Sequence, residues 1–366
     1  MKKSRLEVSA DGAKKGFRLG WEHGYQLGCS KGILELLPPA HVTVNEIRVL
    51  FIPQGFEAID QGVILGLQQT AGEFFVVGAE DMVQRAMELK PDLVLVLNGL
   101  HVFPAEHLDH VDQVKAMGIK TAIWFADDPY FTDLTAAYAS RYDFIFTHER
   151  SCVSLYQELG CRRVYYLPLA VNPLIYHPMQ VDSSYRTDIC FIGNAFPNRI
   201  ELFDQLAHYL ADKKVMIAGS QWDQLAHYPM LKNSIRLEWI PIEETVKYYN
   251  GAKIVINLHR SASESGYSRN TRNIPARSIN PRTYEISACG AFQLTDLRED
   301  LTELYTPGFD IVSYQSADEL IGQMDYYLRH EKKRRRIALR GLKQTHSNHT
   351  FGARLSLLLQ EVQQWH

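Results

Sequence analysis

The chain has 366 residues, 46% of them apolar and 22% charged, with a formal net charge of −3. That is ordinary globular composition, with length for two cores of roughly 150 residues each and no global field to favour nucleic acid or an anionic membrane. No apolar run approaches the roughly eighteen residues of a membrane span, and the first residues lack the apolar core of a secretion signal.

Cys29, Cys152, Cys161, Cys190 and Cys289 are scattered without C-x-x-C spacing, which points to reduced thiols in a cytoplasmic protein and away from a zinc site. Residues 1–45 carry an internal repeat. Gly12, Gly16, Gly20, Gly24, Gly28 and Gly32 recur every fourth position, with Phe17, Trp21 and Tyr25 one place later. On a helix these glycines form a smooth stripe that admits another backbone. Lys14, Lys15, Arg18, Glu22 and Lys31 exclude a bilayer-embedded version. Each glycine weakens an isolated helix by about 1 kcal/mol, so the segment needs a partner. The partner is either the chain's own body or a second copy, a homo-oligomer through residues 12–34; otherwise the segment is a free arm. Pro38-Pro39 ends it.

From Glu46 short apolar runs alternate with helical patterns. Strands are expected at Ile47–Ile52, Phe74–Val77, Leu93–Leu97, Ala122–Phe125, Phe144–Phe146 and Val164–Leu169. Helices are expected at Gln61–Thr70, Asp81–Leu89 and Ala105–Met117. Continuous apolar strands between helices imply a parallel sheet covered on both faces, with ligands beyond the strands' C-terminal ends. Asn98-Gly99, Ala126–Pro129 and His148 occupy such ends. In Asp127-Asp128 adjacent carboxylates suggest a general base or a grip on sugar hydroxyls. No third ligand stands at metal-binding spacing, so no metal is assigned, and one of the two suits a cap before Pro129.

Residues 176–185 lack periodicity and read as a hinge between a first domain at 46–175 and a second at 186–346. The second series has strands at Ile189–Ile192, Val215–Ala218, Ile235–Leu237, Ile254–Leu258, Ala291–Leu294 and Ile311-Val312. Helices fall at Arg199–Leu210, Glu243–Asn250 and Ala317–Leu328. The run EKKRRR (Glu331–Arg336) reads as a solvated helical face, and residues 347–366 as a closing helix.

Gly193-Asn194 ends a strand and precedes a helix bearing Arg199, an arrangement that offers backbone donors and a positive helix end to an anion. His259 and Arg260 follow the strand KIVIN; an arginine there suits bidentate contact with phosphate. Residues 261–280 form a long polar loop with Arg269, Arg272 and Arg277, a candidate lid. Then comes NPRTYEISACGAFQLTD. Pro281 opens a helix, Gly290 stops it, and Arg282 and Glu285 share one face. Backbone donors, arginines for a diphosphate and a carboxylate for a vicinal diol such as ribose together describe a nucleotide-diphosphate site.

FIGN followed by Arg199, KIVINLHRS, PRTYEISACGAFQLTD, the closing HTFGARLSLLL, WFADDP and the glycine repeat resemble CgeB-like glycosyltransferases of spore-forming bacteria. The resemblance spans nearly the whole chain. It implies a GT-B fold, α/β with two facing Rossmann-like domains, acceptor at the first and nucleotide-sugar at the second. It also implies a last helix, Ala353–Val362, that crosses back to the first domain, and chemistry without a bound metal or other cofactor. The implied donor, a UDP-sugar, would meet Gly193, Asn194, Arg199, His259, Arg260, Arg282 and Glu285. Asp127 or Asp128 would act on the acceptor, a sugar, polysaccharide or protein of the spore surface. Related retaining enzymes carry Glu-x7-Glu; here the first position is Arg277, so no anomeric outcome is assigned. A non-hydrolysing sugar-nucleotide epimerase and a non-catalytic spore-surface component with a nucleotide pocket remain open.

Overall fold

In a computed structural model that describes residues 5–38, 42–263 and 266–365, two parallel sheets of six strands each face one another. Met1–Ser4, Pro39 of the terminating pair, Glu264-Ser265 of the polar loop and His366 lie outside the described residues.

The first sheet contains β1 (Asn45–Ile52), β2 (Ala71–Val76), β3 (Leu93–Leu97), β4 (Lys120–Phe125), β5 (Phe144–Thr147) and β6 (Val164–Tyr166), ordered β2-β1-β3-β4-β5-β6. All its pairings are parallel. The helix α1 (Arg5–Leu36) precedes it, and α2 (Glu57–Thr70), α3 (Met82–Leu89), α4 (His107–Ala116), α5 (Thr132–Ala139) and α6 (Ser151–Glu158) connect its strands. Every residue of β3 is buried, as a strand covered on both faces requires. The expected strand to Leu169 stops at Tyr166, because the chain turns there toward the crossing between sheets.

The second sheet, ordered β12-β11-β10-β7-β8-β9, has the doubly wound dinucleotide-fold order and is also parallel throughout. Its strands are β7 (Thr187–Ile192), β8 (Val215–Ala218), β9 (Ile235–Arg236), β10 (Ala252–Asn257), β11 (Gln293–Asp296) and β12 (Val312–Tyr314). Its helices are α7 (Pro197–Leu210), α8 (Tyr228–Leu231), α9 (Ile242–Gly251), α10 (Pro281–Ala288), α11 (Leu301–Leu304), α12 (Ala317–Arg329) and α13 (Glu331–Asn348). Pro197 sits at the start of α7, where its missing N–H costs nothing. The side chain of Asn280 caps α10 by accepting from Thr283 N.

The final helix, α14 (Phe351–Gln363), lies against α2 and buries Phe351, Leu355, Leu358, Leu359 and Val362 in the core under the first sheet. Gly62 permits this approach: a Cβ there would stand 2.2 Å from the Phe351 ring. The two crossings between sheets run side by side, with Val171 N donating to His349 O (3.0 Å). Arg354 braces both, donating to Pro168 O at 3.0 Å and Asn348 O at 3.1 Å.

α1 packs on α13, with the Arg335 guanidinium over the Tyr25 ring at 5.1 Å. The six glycines face away from that contact: a Cβ on any of them meets nothing within 4 Å. Lys332, Lys333 and Arg336 of the basic run are exposed, whereas Arg334 and Arg335 turn inward, Arg334 donating to Tyr327 O. Among the described residues no helix is long and apolar enough to cross a membrane.

Candidate functional site

Both sheets point their strands' C-terminal ends into one cleft. In the first sheet the chain reverses direction between β1 and β3, in the second between β7 and β10, and such switch points are where doubly wound sheets bind ligands. A cavity of about 530 Å³ lies between the loops at these points. Its second-sheet wall is Gly193 and Asn194 after β7, Gly219 after β8, Trp239–Ile242 before α9, and Arg282 and Glu285 on α10. Its first-sheet wall is Gly55–Ile59, the turn into α2.

The loop after β7 is held from several directions. Gly193 N donates to Ala218 O (2.8 Å), and Gly193 O accepts from Trp222 Nε1 (2.8 Å). Asn194 Oδ1 accepts from Ser220 N (3.1 Å). Gly219 has φ +138°, and a Cβ on it would stand 2.3 Å from Gly193 O, so a side chain there would displace this loop. Opposite, Ile59 N and Asp60 N donate to Phe56 O (2.9 and 2.8 Å), which leaves the amides of Glu57 and Ala58 at the head of α2, and Phe56 provides no side-chain cap. They present a positive helix end to the cavity.

Glu285 is half-buried beside Arg282 and hydrogen-bonded to Tyr176; burial raises its pKa, and the Arg282 charge and the Tyr176 bond oppose that. The wall therefore offers the Glu285 carboxylate, an acceptor group, and the Arg282 guanidinium beside both Glu285 and the Gly193 loop, with Glu57 on the opposite wall.

Gly193, Asn194, Arg282 and Glu285 thus meet at one cavity, while the other expected donor residues stand behind its wall. Arg199 is buried, and its guanidinium donates to Asn194 O (2.8 Å) and Leu258 O (2.9 Å), bracing the loop from beneath. His259 is buried, with Nδ1 on Asp296 Oδ1 at 2.5 Å and Nε2 accepting from Asn280 N at 2.9 Å. That geometry requires an unprotonated Nε2, and burial lowers the ring's pKa accordingly. Arg260 is sandwiched between the rings of Tyr130 and Phe196, at 4.5 and 4.6 Å, and joins the two halves of the molecule.

On the first-sheet side the two adjacent carboxylates part company. Asp128 is 0% exposed and takes hydrogen bonds from Thr135 (2.9 Å), Thr147 (2.7 Å) and Tyr156 (2.7 Å). It ties β4, β5, α5 and α6 together and does not reach the cleft, nor does it cap a helix, since α5 begins at Thr132. Asp127 instead accepts from Asn98 Nδ2 (2.7 Å) and pairs with His101 Nε2 (3.1 Å). His101 sits at φ +60° in the loop after β3 and is 42% exposed in its side chain. Its pKa is raised, first by the hydrogen bond to Asp127. Its ring lies 6.5 Å from that of Phe56 on the cavity wall. Arg269, from the polar loop, stands close enough to influence it electrostatically.

That loop is docked on the first half. Asp133 accepts from Thr271 N (3.1 Å) and Thr271 Oγ1 (2.7 Å), and Thr132 Oγ1 donates to Asn270 (2.8 Å). Among the described residues no cluster of three His, Cys, Asp or Glu side chains is arranged to hold a metal ion.

Sequence reasoning did not anticipate His101, Trp239 or Gly219. His101 follows Asn98-Gly99 at a strand end already marked as a ligand position, and Gly219 follows the strand VMIA in the same way; Trp239 carries no such signal.

Comparisons with known proteins bear on the family and the fold. A family model described as glycosyl transferase-like matches residues 199–360. Spore protein CgeB of Bacillus subtilis (strain 168) is 31% identical over 314 residues, 83% of this chain and 95% of that protein. Anabaena HepE in complex with UDP-glucose superposes with a TM-score of 0.61 at 12% identity, covering 87% of this chain and all of that one (100%). A glycosyltransferase from Rickettsia africae gives 0.60 at 11% identity, with 87% and 98% covered. A Listeria monocytogenes protein assigned as a UDP-N-acetylglucosamine 2-epimerase gives 0.54 at 10% identity, with 87% and 96% covered. At these identities the structural likenesses establish the fold, GT-B.

Proposed function

The chain belongs to the CgeB-like family of glycosyltransferases, and from that premise we propose that it moves a sugar from a UDP-sugar to an acceptor hydroxyl at the spore surface. The observation that carries this reading is the single cavity where Gly193, Asn194, Arg282 and Glu285 face the amino end of α2. In it, Glu285 accepts from the ribose hydroxyls. Arg282, the Gly193 loop and the Glu57 and Ala58 amides at the head of α2 hold the diphosphate and stabilise its charge as it leaves. Exposed Trp239 on the rim offers an aromatic face to the base. His101, oriented through Nε2 by Asp127, keeps Nδ1 for the acceptor proton, the role of a general base. The residues assigned to the leaving diphosphate are positive side chains and dipoles, so the reading is metal-independent.

Screening nucleotide-sugars by thermal shift tests the donor assignment. A ligand at a hundred times its Kd stabilises by about 2.7 kcal/mol, which is a rise in Tm of roughly 5–10 °C. No shift with any uridine nucleotide refutes the assignment. The assigned epimerase from Listeria shares the fold, so UDP release that depends on an added acceptor is the measurement that separates transfer from epimerisation.

A further inference from the structure

The segment from Arg277 to Asn280 leads into α10, which carries Arg282 and Glu285. Each of its four backbone N–H groups is held by a buried side chain. Arg277 N donates to both carboxylate oxygens of Glu149 (3.1 Å each) and Ser278 N to Oε2 (3.1 Å). Ile279 N donates to Asp300 (3.0 Å) and Asn280 N to His259 Nε2 (2.9 Å). Asp300 and His259 belong to the second half of the chain; Glu149 belongs to the first, two residues beyond β5. Glu149 is 1% exposed, and Oε1 also accepts from Ser151 N (3.0 Å) and Ser151 Oγ (2.6 Å), so its carboxylate is fixed to the first half. Arg150 N then donates to Ser278 Oγ (2.9 Å).

We propose that Glu149 is a positioning residue: through Arg277 and Ser278 it lets the acceptor-side half set the placement of α10 and hence of Arg282 and Glu285 in the donor cavity. The proposal rests on the donor reading above for its functional meaning. The physical basis is that a buried carboxylate and the amides it holds cannot separate without leaving unsatisfied groups, so any relative movement of the halves must carry the 277–280 segment with it or break these bonds. Only Ile279 and Asn280, the cap of α10, lie between Ser278 and the helix, so the link is short and stiff.

Glu149→Gln keeps the shape but sets an NH2 group against amide donors. Glu303→Ala is the control, since it severs the ion pair between Arg150 and Glu303 across the halves without touching residues 277–280. UDP affinity is measured by calorimetry and backbone exchange by mass spectrometry. The expected result for Glu149→Gln is UDP binding weakened about tenfold or more with α10 amides exchanging faster, while Glu303→Ala binds as the wild type does. Unchanged UDP affinity in Glu149→Gln, or an equal loss in Glu303→Ala, overturns the proposal. If the wild type does not bind UDP, the donor reading fails by itself and exchange at α10 decides: faster in Glu149→Gln supports the link, unchanged overturns it. Should Glu149→Gln not fold, the wild type gives the answer. Saturating UDP must slow exchange at Arg277 and Ser278, because coupling is reciprocal, and no slowing overturns the proposal.

Discussion

Glu285→Ala is the substitution that probes the donor site most directly. In the proposed role the carboxylate accepts from two neighbouring hydroxyls, and hydrogen bonds to a charged group contribute roughly 1.5–3 kcal/mol each. Their sum overstates the loss, because one feature of the wall opposes it and another cancels. Arg282 loses the carboxylate beside it and is freer to engage the diphosphate, while Tyr176 loses an acceptor whether or not nucleotide is bound. A net penalty of about 3 kcal/mol remains, or roughly a hundredfold in Kd. Calorimetry should compare UDP with its 2′,3′-dideoxy analogue on both proteins. The wild type should prefer UDP by roughly that factor, and Glu285→Ala should bind the two alike. A variant that still discriminates as the wild type does would refute the ribose assignment, even if overall affinity fell. The protonation argument adds a direction. Burial raises the Glu285 pKa, so the wild type's preference for UDP should fade on acidification at a higher pH than an ordinary carboxylate would set.

Two further outcomes follow from other parts of the molecule. Gly62→Ala gains up to about 1 kcal/mol of helix propensity, but its Cβ would lie 2.2 Å from the Phe351 ring, and overpacking of this kind costs about 1–3 kcal/mol. The net effect expected in urea unfolding is destabilisation, reversed when Phe351→Leu is added; destabilisation that the second substitution leaves unrelieved would refute the steric account. His101 must be neutral to accept a proton, and its pKa is raised above 6.5 chiefly by the hydrogen bond to Asp127, so the acid limb of the pH–rate profile should lie above pH 6.5. Asp127→Asn should move that limb to lower pH and slow turnover by about a hundredfold. A limb that does not move refutes the dyad. The same shift has a stability sign: the pair's contribution is complete below pH 6.5 and fades as pH rises through the folded-state pKa.

The strands were legible in the sequence because most are continuous apolar runs, and LVLVL or VMIA buried on both faces admits few other readings. The helices α5 and α6 were not anticipated: eight-residue segments such as TDLTAAYA and SCVSLYQE are too short to display a clear period. At the site, strand ends were legible and side-chain directions were not. Asp127 and Asp128 are neighbours in sequence, yet one meets His101 and the other is enclosed by three hydroxyls, a difference set by residues 135, 147 and 156. Arg199 and Arg282 carry the same charge, but Arg199 satisfies carbonyls under the loop while Arg282 lines the cavity. The 261–280 loop read as a lid from its length and polarity; its docking on Asp133 and Glu149 depends on partners more than a hundred residues away.

The return of α14 to the first sheet also governs when that sheet's core can close during synthesis. Five apolar residues of that core, Phe351 through Val362, come after all twelve strands in the chain. At about 5–20 residues per second, roughly 10–40 s separate the end of the first sheet from their arrival. Throughout that interval Val63 and Leu67, which share this core, wait without the helix that covers them. The usual sequence of amino-terminal domain first is therefore inverted: the second half has all its strands before the first half can close.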